Sequence, residues 1–149
     1  MSPTMSTTGK PQGAGAVAAV RGLLARRRRV VIATTKSKDF ALRLLSAAGL
    51  GEALLPSHRV HGLEECRAAG GKPALIVALS QAAEGTAAAA ARIVFVEDRL
   101  APLRGLRDAA RQPVTLALAS WGFNVEADRV AAAAEGMVVV LQQGDLATL

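Results

Sequence analysis

The chain has 149 residues, a length that fits one domain. Hydrophobic residues make up 51% of it and charged residues 20%, so it can build a core and is not disordered throughout. Its longest charge-free stretches, such as 113–125, are shorter than the ~18 apolar residues of a membrane-spanning helix. The single cysteine, Cys66, excludes an internal disulfide, and 3% aromatic residues leave little for stacking on single-stranded nucleic acid.

The net charge of +6 is concentrated near the N-terminus. The first 38 residues hold eight basic side chains, four of them consecutive at 26–29, and no acidic one. The other 111 residues carry ten basic and twelve acidic side chains. Because cations are favourable at the end of a helix, we interpret 26–29 as a solvated helix end. A basic arm that contacts nucleic acid or an acidic partner is the less favoured alternative, since the rest of the chain is nearly neutral.

Residues 1–13 are rich in Ser, Thr, Gly and Pro and show no apolar period, which predicts a flexible N-terminal tail. An organelle targeting segment is the alternative, because the tail lacks acids and arginines follow it. We assign residues 14–149 to one α/β domain. We expect a soluble intracellular protein, in the cytoplasm or a plastid, and the oligomeric state stays open.

Helical and strand patterns alternate along residues 14–149. Helices are predicted at 16–27, 73–83 and 126–135. Two more helices are predicted from apolar faces at Phe40, Leu44, Leu45 and Ala48, and at Leu100, Leu103, Leu106 and Ala110. Strands are predicted at 30–33, around 59–60, and at 92–96, 114–119 and 137–141. Apolar strands that alternate with helices predict a mostly parallel sheet with helices on both faces.

Two predicted strands end in polar residues, Thr34-Thr35-Lys36 and Glu97-Asp98. In parallel sheets, ligands bind beyond the carboxyl ends of the strands. Adjacent carboxylates at the end of a buried strand repel each other and lose hydration, so they need a counter-charge. Mg²⁺ is one candidate because it takes oxygen ligands, and a salt bridge to Arg99 is the other. His58, His61 and Cys66 are too few for a structural zinc site.

Three segments together resemble a known arrangement. Val31-Ile32-Ala33-Thr34-Thr35-Lys36, Gly71-Lys72-Pro73 and Val94-Phe95-Val96-Glu97-Asp98 resemble, in order and spacing, motifs two, three and four of the haloacid dehalogenase-like (HAD) hydrolase superfamily. Segment 95–100, with Trp121-Gly122-Phe123-Asn124 after the next strand, resembles a cyanobacterial and plant branch of uncharacterised members. The resemblance covers about 14–149.

The resemblance implies a Rossmann-like core and Mg²⁺-dependent hydrolysis of a small phosphorylated molecule. Thr34 would then donate its hydroxyl to a phosphoryl oxygen, and Lys72 would neutralise phosphoryl charge. Glu97 and Asp98 would help to hold Mg²⁺, with Asp98 the better candidate for a direct ligand. Such donors, together with a metal, supply most of the stabilisation in phosphoryl transfer.

The chain departs from the family pattern in two ways. Positions 101–103, where a second carboxylate often follows motif four, are Ala, Pro and Leu. The nucleophilic Asp-x-Asp of motif one is absent, and no carboxylate precedes Asp39. The closest approximation, Glu126-Ala127-Asp128, lies at a predicted helix start and suits an N-terminal cap better.

The missing motif has a structural consequence as well as a chemical one. In the family, the strand that carries it lies between the threonine strand and the acidic strand, so its absence leaves both neighbours with unpaired backbone groups. We therefore expect a truncated or degenerate HAD core in which covalent turnover has no first step. A non-catalytic phosphate- or nucleotide-binding module, which keeps Thr34 and Lys72 as an anion pocket, is the alternative.

Overall fold

The β-structure forms two small parallel sheets in the computed structural model, which describes residues 14–82, 93–110 and 113–149. In the first sheet, β1 (Ile32–Ala33) pairs with β2 (Val60–His61). In the second, β4 (Val114–Ala119) lies between β3 (Ile93–Glu97) and β5 (Val138–Val140). The predicted α/β class with parallel pairing is confirmed. Within the described residues the strands form two ladders, so that β1 and β3 are both edge strands.

Six α-helices connect and cover these strands in the described part of the chain. They are α1 (Ala14–Ala25), α2 (Lys38–Ala47), α3 (Leu63–Ala69), α4 (Lys72–Ala82), α5 (Leu100–Ala109) and α6 (Glu126–Ala134). Short 3-10 helices lie at Ser57–Arg59 and Gln143–Thr148, and the latter packs against α1. Every predicted helix is present with ends shifted by at most two residues, and α3 was not predicted.

The main core forms where α5 packs on the three-stranded sheet. Leu100, Leu103 and Leu106 are buried, which confirms the apolar face predicted for α5. They contact buried residues of β3, β4 and the α6–β5 region: Phe95, Leu118, Ala132 and Met137. This packing fixes the carboxyl ends of β3 and β4 relative to each other.

A smaller core joins α2 to the first sheet through the buried residues Ala41, Leu55 and Val60. The face predicted for α2 is wrong in part, because Phe40 and Leu44 are 45% and 47% exposed and Ala48 is exposed, whereas Leu45 packs against this core. Ala41 turns inward instead, since its small side chain allows the helix to approach β2 closely. A helical period is satisfied equally by both sets of positions, so the sequence pattern alone could not choose between them.

The predicted tail at 1–13 lies outside the described residues, as do Ala83 and Arg92 at the ends of predicted elements. Among the described residues, every helix is too short or too polar to cross a lipid bilayer.

Candidate functional site

Thr34 follows β1 and is held by contacts with the neighbouring strand and helix. Its N–H donates to the His61 carbonyl at 2.9 Å, which extends the ladder to β2. Its carbonyl accepts a weak hydrogen bond from the Cys66 thiol at 3.5 Å. The Thr34 hydroxyl oxygen accepts from the Lys36 N–H at 3.2 Å, so the hydroxyl hydrogen remains available for a ligand.

Burial raises the pKa of the Cys66 thiol, with Lys72 opposing the shift and Glu65 adding to it. The thiol therefore stays protonated and can donate to Thr34. Cys66 lies on α3, so this unpredicted helix supplies the thiol that contacts the Thr34 backbone. No signal in the sequence links Cys66 to Thr34.

Lys72 is the first residue of α4 and follows two glycines with positive φ. Gly70 ends α3 in the left-handed conformation at φ 94°, and Gly71 has φ 122°. Side chains other than glycine rarely adopt such values, so the Gly-Gly pair makes the sharp turn between α3 and α4. That turn places the Lys72 ammonium 2.8 Å from Glu97 Oε2.

Glu97 ends β3 with its side chain 7% exposed, and the side chain of Lys72 is 16% exposed. Glu97 Oε1 also accepts from the Asp98 N–H at 3.0 Å. The counter-charge of Glu97 is therefore Lys72. The alternative of a salt bridge to Arg99 is wrong within the described residues, where Arg99 forms none.

Asp98 is positioned by the turn after β4. Its Oδ2 accepts from the Phe123 N–H at 3.1 Å. The Asn124 amide donates to the Asp98 carbonyl at 2.9 Å and to the Ala119 carbonyl at 2.8 Å, which ties the ends of β3 and β4 together. A Cβ at Gly122 would overlap the Asp98 side chain, so only glycine allows this close approach.

The ionisation of Asp98 reflects opposing influences. Burial disfavours the charged form, but the hydrogen bond from the Phe123 amide and the nearby ammonium of Lys72 favour it. The pKa of the Asp98 carboxyl is therefore lowered from its ordinary value. Asp98 is charged at neutral pH and presents a negative charge to the cavity.

The predicted site residues line one cavity of about 520 Å³, the strand-end cavity. Thr34 contributes from β1, Lys72 from α4, and Glu97 and Asp98 from β3. The volume lies in the range of roughly 300–1,000 Å³ that small-molecule sites occupy. The structure thus brings together a hydroxyl, an ammonium and two carboxylates that are far apart in the sequence.

The cavity also includes residues that sequence analysis did not assign to ligand binding. Thr35, Lys36, Pro73, Arg99, Pro102 and Phe123 complete its lining. Lys36, Lys72 and Arg99 against two carboxylates give a formal charge of +1, which favours an anionic ligand. The position of Lys36 and Arg99 directly beside the two polar strand ends was the signal that could have identified them.

Of the two carboxylates in the cavity, Asp98 suits a direct contact with Mg²⁺ and Glu97 does not. Glu97 has both oxygens in hydrogen bonds and is nearly buried, so it suits the role of a counter-ion to Lys72. Asp98 uses one oxygen for the Phe123 amide and lines the cavity, so it can serve as a direct ligand. No group of three or more His, Cys, Asp or Glu side chains gathers within the described residues. Mg²⁺ needs fewer, because it keeps several waters and is bound through one or two carboxylates.

The other predicted residues lie apart from the cavity lining. His61 is the second residue of β2. Burial lowers the pKa of its imidazole, with Glu65 opposing the shift and Lys38 adding to it. Asp128 accepts from the Val125 N–H at 3.0 Å at the start of α6, so the predicted cap role of this acidic segment is confirmed. The arginines at 26–29 are exposed and follow the end of α1, which lies two residues before the predicted end at 27.

No family model, curated protein or solved structure matches this chain.

Proposed function

We propose that the chain is a HAD-like phosphohydrolase core that binds a phosphoryl group at the carboxyl ends of β1 and β3 and lacks the nucleophile for turnover. The observation that carries the proposal is that Thr34, Lys72 and Asp98 line the same cavity. They belong to the segments that resemble motifs two, three and four, and they lie at the carboxyl ends of parallel strands, where ligands bind in such sheets.

Each residue has a distinct part in this proposal. The Thr34 hydroxyl donates to one phosphoryl oxygen, and the Lys72 ammonium neutralises charge on another. Glu97 orients Lys72 through their 2.8 Å ion pair, and Lys36 and Arg99 attract the anion. Asp98 is the residue that would hold Mg²⁺, and Mg²⁺ would supply further charge neutralisation.

The split into two sheets supports the same proposal. The resemblance predicts a strand between the threonine strand and the acidic strand, and the sequence contains no Asp-x-Asp to mark it. β1 and β3, the strands concerned, are both edge strands within the described residues, and their carboxyl ends line the same cavity. Without a carboxylate nucleophile the chain has binding groups but no atom to attack phosphorus.

Calorimetry with inorganic phosphate, with and without Mg²⁺, tests the proposal. We expect binding that Mg²⁺ strengthens, and a loss of at least tenfold in affinity for the double variant Lys72→Met/Glu97→Gln, which removes the ammonium without leaving a buried charge. Lys38→Met, which removes a lysine outside the cavity, is the matched control. An equal loss in both variants would contradict the proposal.

The alternative is a phosphate-binding module unrelated to hydrolysis. The ion pair of Lys72 with Glu97 favours this alternative, because the charge of the Glu97 carboxylate is already neutralised by Lys72. Mg²⁺ separates the two functions. A simple anion pocket would bind phosphate equally well or more weakly when Mg²⁺ is added. Aryl-phosphate turnover that survives the double variant would exclude both.

A further inference from the structure

A second cavity, of about 530 Å³, lies at the C-terminal end of α1 and is lined by five arginines. Arg21 comes from α1, Arg27, Arg28 and Arg29 from the segment that follows it, and Arg59 from the 3-10 helix before β2. The arginine segment precedes β1, whereas Thr34 follows it, so the two cavities lie at opposite ends of this strand.

The five arginines bring together positive charge that nearby acids do not balance. Among the described residues, those that line this cavity include no carboxylate. Within the described part of the chain, none of the five forms a salt bridge. Arg21 is held by a hydrogen bond to the Gly49 carbonyl at 2.9 Å, so at least one guanidinium is positioned. Like charges so arranged repel each other, and a bound anion relieves that repulsion.

Arg27 adds an independent observation. The Arg27 N–H donates to the Leu24 carbonyl at 3.0 Å and the Arg28 N–H to the Leu23 carbonyl at 2.9 Å, which is the Schellman arrangement that ends a helix. Arg27 takes the left-handed position of that motif, with φ 58°. Glycine is strongly preferred there because a Cβ is disfavoured. Among the described residues Arg27 is the only one other than glycine with positive φ.

We propose that the arginine cavity binds a small molecule that carries at least two phosphate groups, independently of the function proposed for the strand-end cavity. The planar guanidinium donates two parallel hydrogen bonds to a phosphate, so several arginines suit an oligophosphate. An arginine at the strained position is explained if its charge is needed in the cavity, because strained residues cluster at binding sites.

The size and lining of the cavity favour a small molecule over a nucleic acid. Its volume is typical of small-ligand sites. Its remaining lining is aliphatic, with Leu24 and Leu54 and no aromatic side chain on which bases could stack. The nearly neutral charge of residues 39–149 offers no continuous basic track for a polynucleotide backbone.

Calorimetry with tripolyphosphate tests the proposal, in the Lys72→Met/Glu97→Gln background so that the strand-end cavity does not contribute. We expect Arg28→Ala/Arg29→Ala to weaken binding at least tenfold. The control Arg43→Ala/Arg67→Ala removes two exposed arginines outside the cavity and should change affinity less than threefold. Equal losses in the two variants would overturn the proposal, as would binding of a single-stranded oligonucleotide but not of tripolyphosphate.

Arg27→Gly provides a second readout that a merely structural role would not produce. Glycine relieves the left-handed strain, so the variant should melt about 3 °C higher. The variant also removes one positive charge from the cavity, so its affinity for tripolyphosphate should be at least about threefold lower. Higher stability with unchanged affinity would contradict the proposal, because the strained arginine would then have no part in binding.

Discussion

The Lys72 ammonium lies 2.8 Å from Glu97 Oε2, and both side chains are largely withdrawn from water. This pair joins α4 to the end of β3 at the edge of the strand-end cavity. In a buried ion pair both charged groups lose hydration, and the pair contributes to stability only while both partners are charged.

Removing one partner of this pair should cost more than removing both. Lys72→Met leaves the carboxylate of Glu97 nearly buried without its cation, which should lower the free energy of unfolding by about 3 kcal/mol. Lys72→Met/Glu97→Gln should recover at least about 1 kcal/mol of that loss, because no buried charge remains. Urea denaturation of the wild type, both single variants and the double variant measures the coupling. Additive effects would show that the two side chains do not interact.

Gly122→Ala should displace Asp98 from the cavity. The added Cβ would overlap the Asp98 side chain and disturb its hydrogen bond with the Phe123 amide. We expect a loss of about 1–3 kcal/mol in the free energy of unfolding. Gly144→Ala is the matched control, since a Cβ there meets open space and should change stability by less than about 0.5 kcal/mol. Equal stability in the two variants would mean that Asp98 readily moves aside.

Asn124→Ala should loosen the connection between the ends of β3 and β4. The Asn124 amide donates to the carbonyls of Asp98 and Ala119, so its removal leaves both partly unsatisfied. We expect a loss of about 2 kcal/mol in the free energy of unfolding. Asn124→Asp keeps the shape and the oxygen that accepts from Arg129 at 2.9 Å but removes the amide donor, so it should still be less stable than the wild type. A fully stable Asn124→Asp protein would contradict this role.

Stability should fall at acid pH partly through Asp98. Its pKa is lowered in the folded chain, so the unfolded chain takes up the proton first as the pH falls. The stabilisation is complete above the ordinary carboxyl pKa and is lost as the pH falls through it towards the folded value. Asp98→Asn should therefore lose less free energy of unfolding between pH 6 and pH 3 than the wild type, at constant salt. The exposed Asp108→Asn is the control, and an identical pH dependence of the two variants would contradict the prediction.

The sequence predicted the α/β class, five strands and the polar strand ends, because strand and helix periods are local properties. It missed α3, whose seven residues are too short to show a clear helical period. It also could not show that Lys72 neutralises Glu97, because the Gly70-Gly71 turn that aims the lysine depends on where α3 and α4 pack. The contact of Gly122 with Asp98 likewise arises only when the ends of β3 and β4 meet.

The most direct measurement is a titration with inorganic phosphate and Mg²⁺, followed by backbone amide NMR. If the carboxyl ends of β1 and β3 form a phosphoryl site, the largest shift changes will fall at Thr34–Lys36, Lys72 and Glu97–Asp98 and will be lost in Lys72→Met/Glu97→Gln. Changes confined to other residues, or the same changes in the double variant, would contradict it.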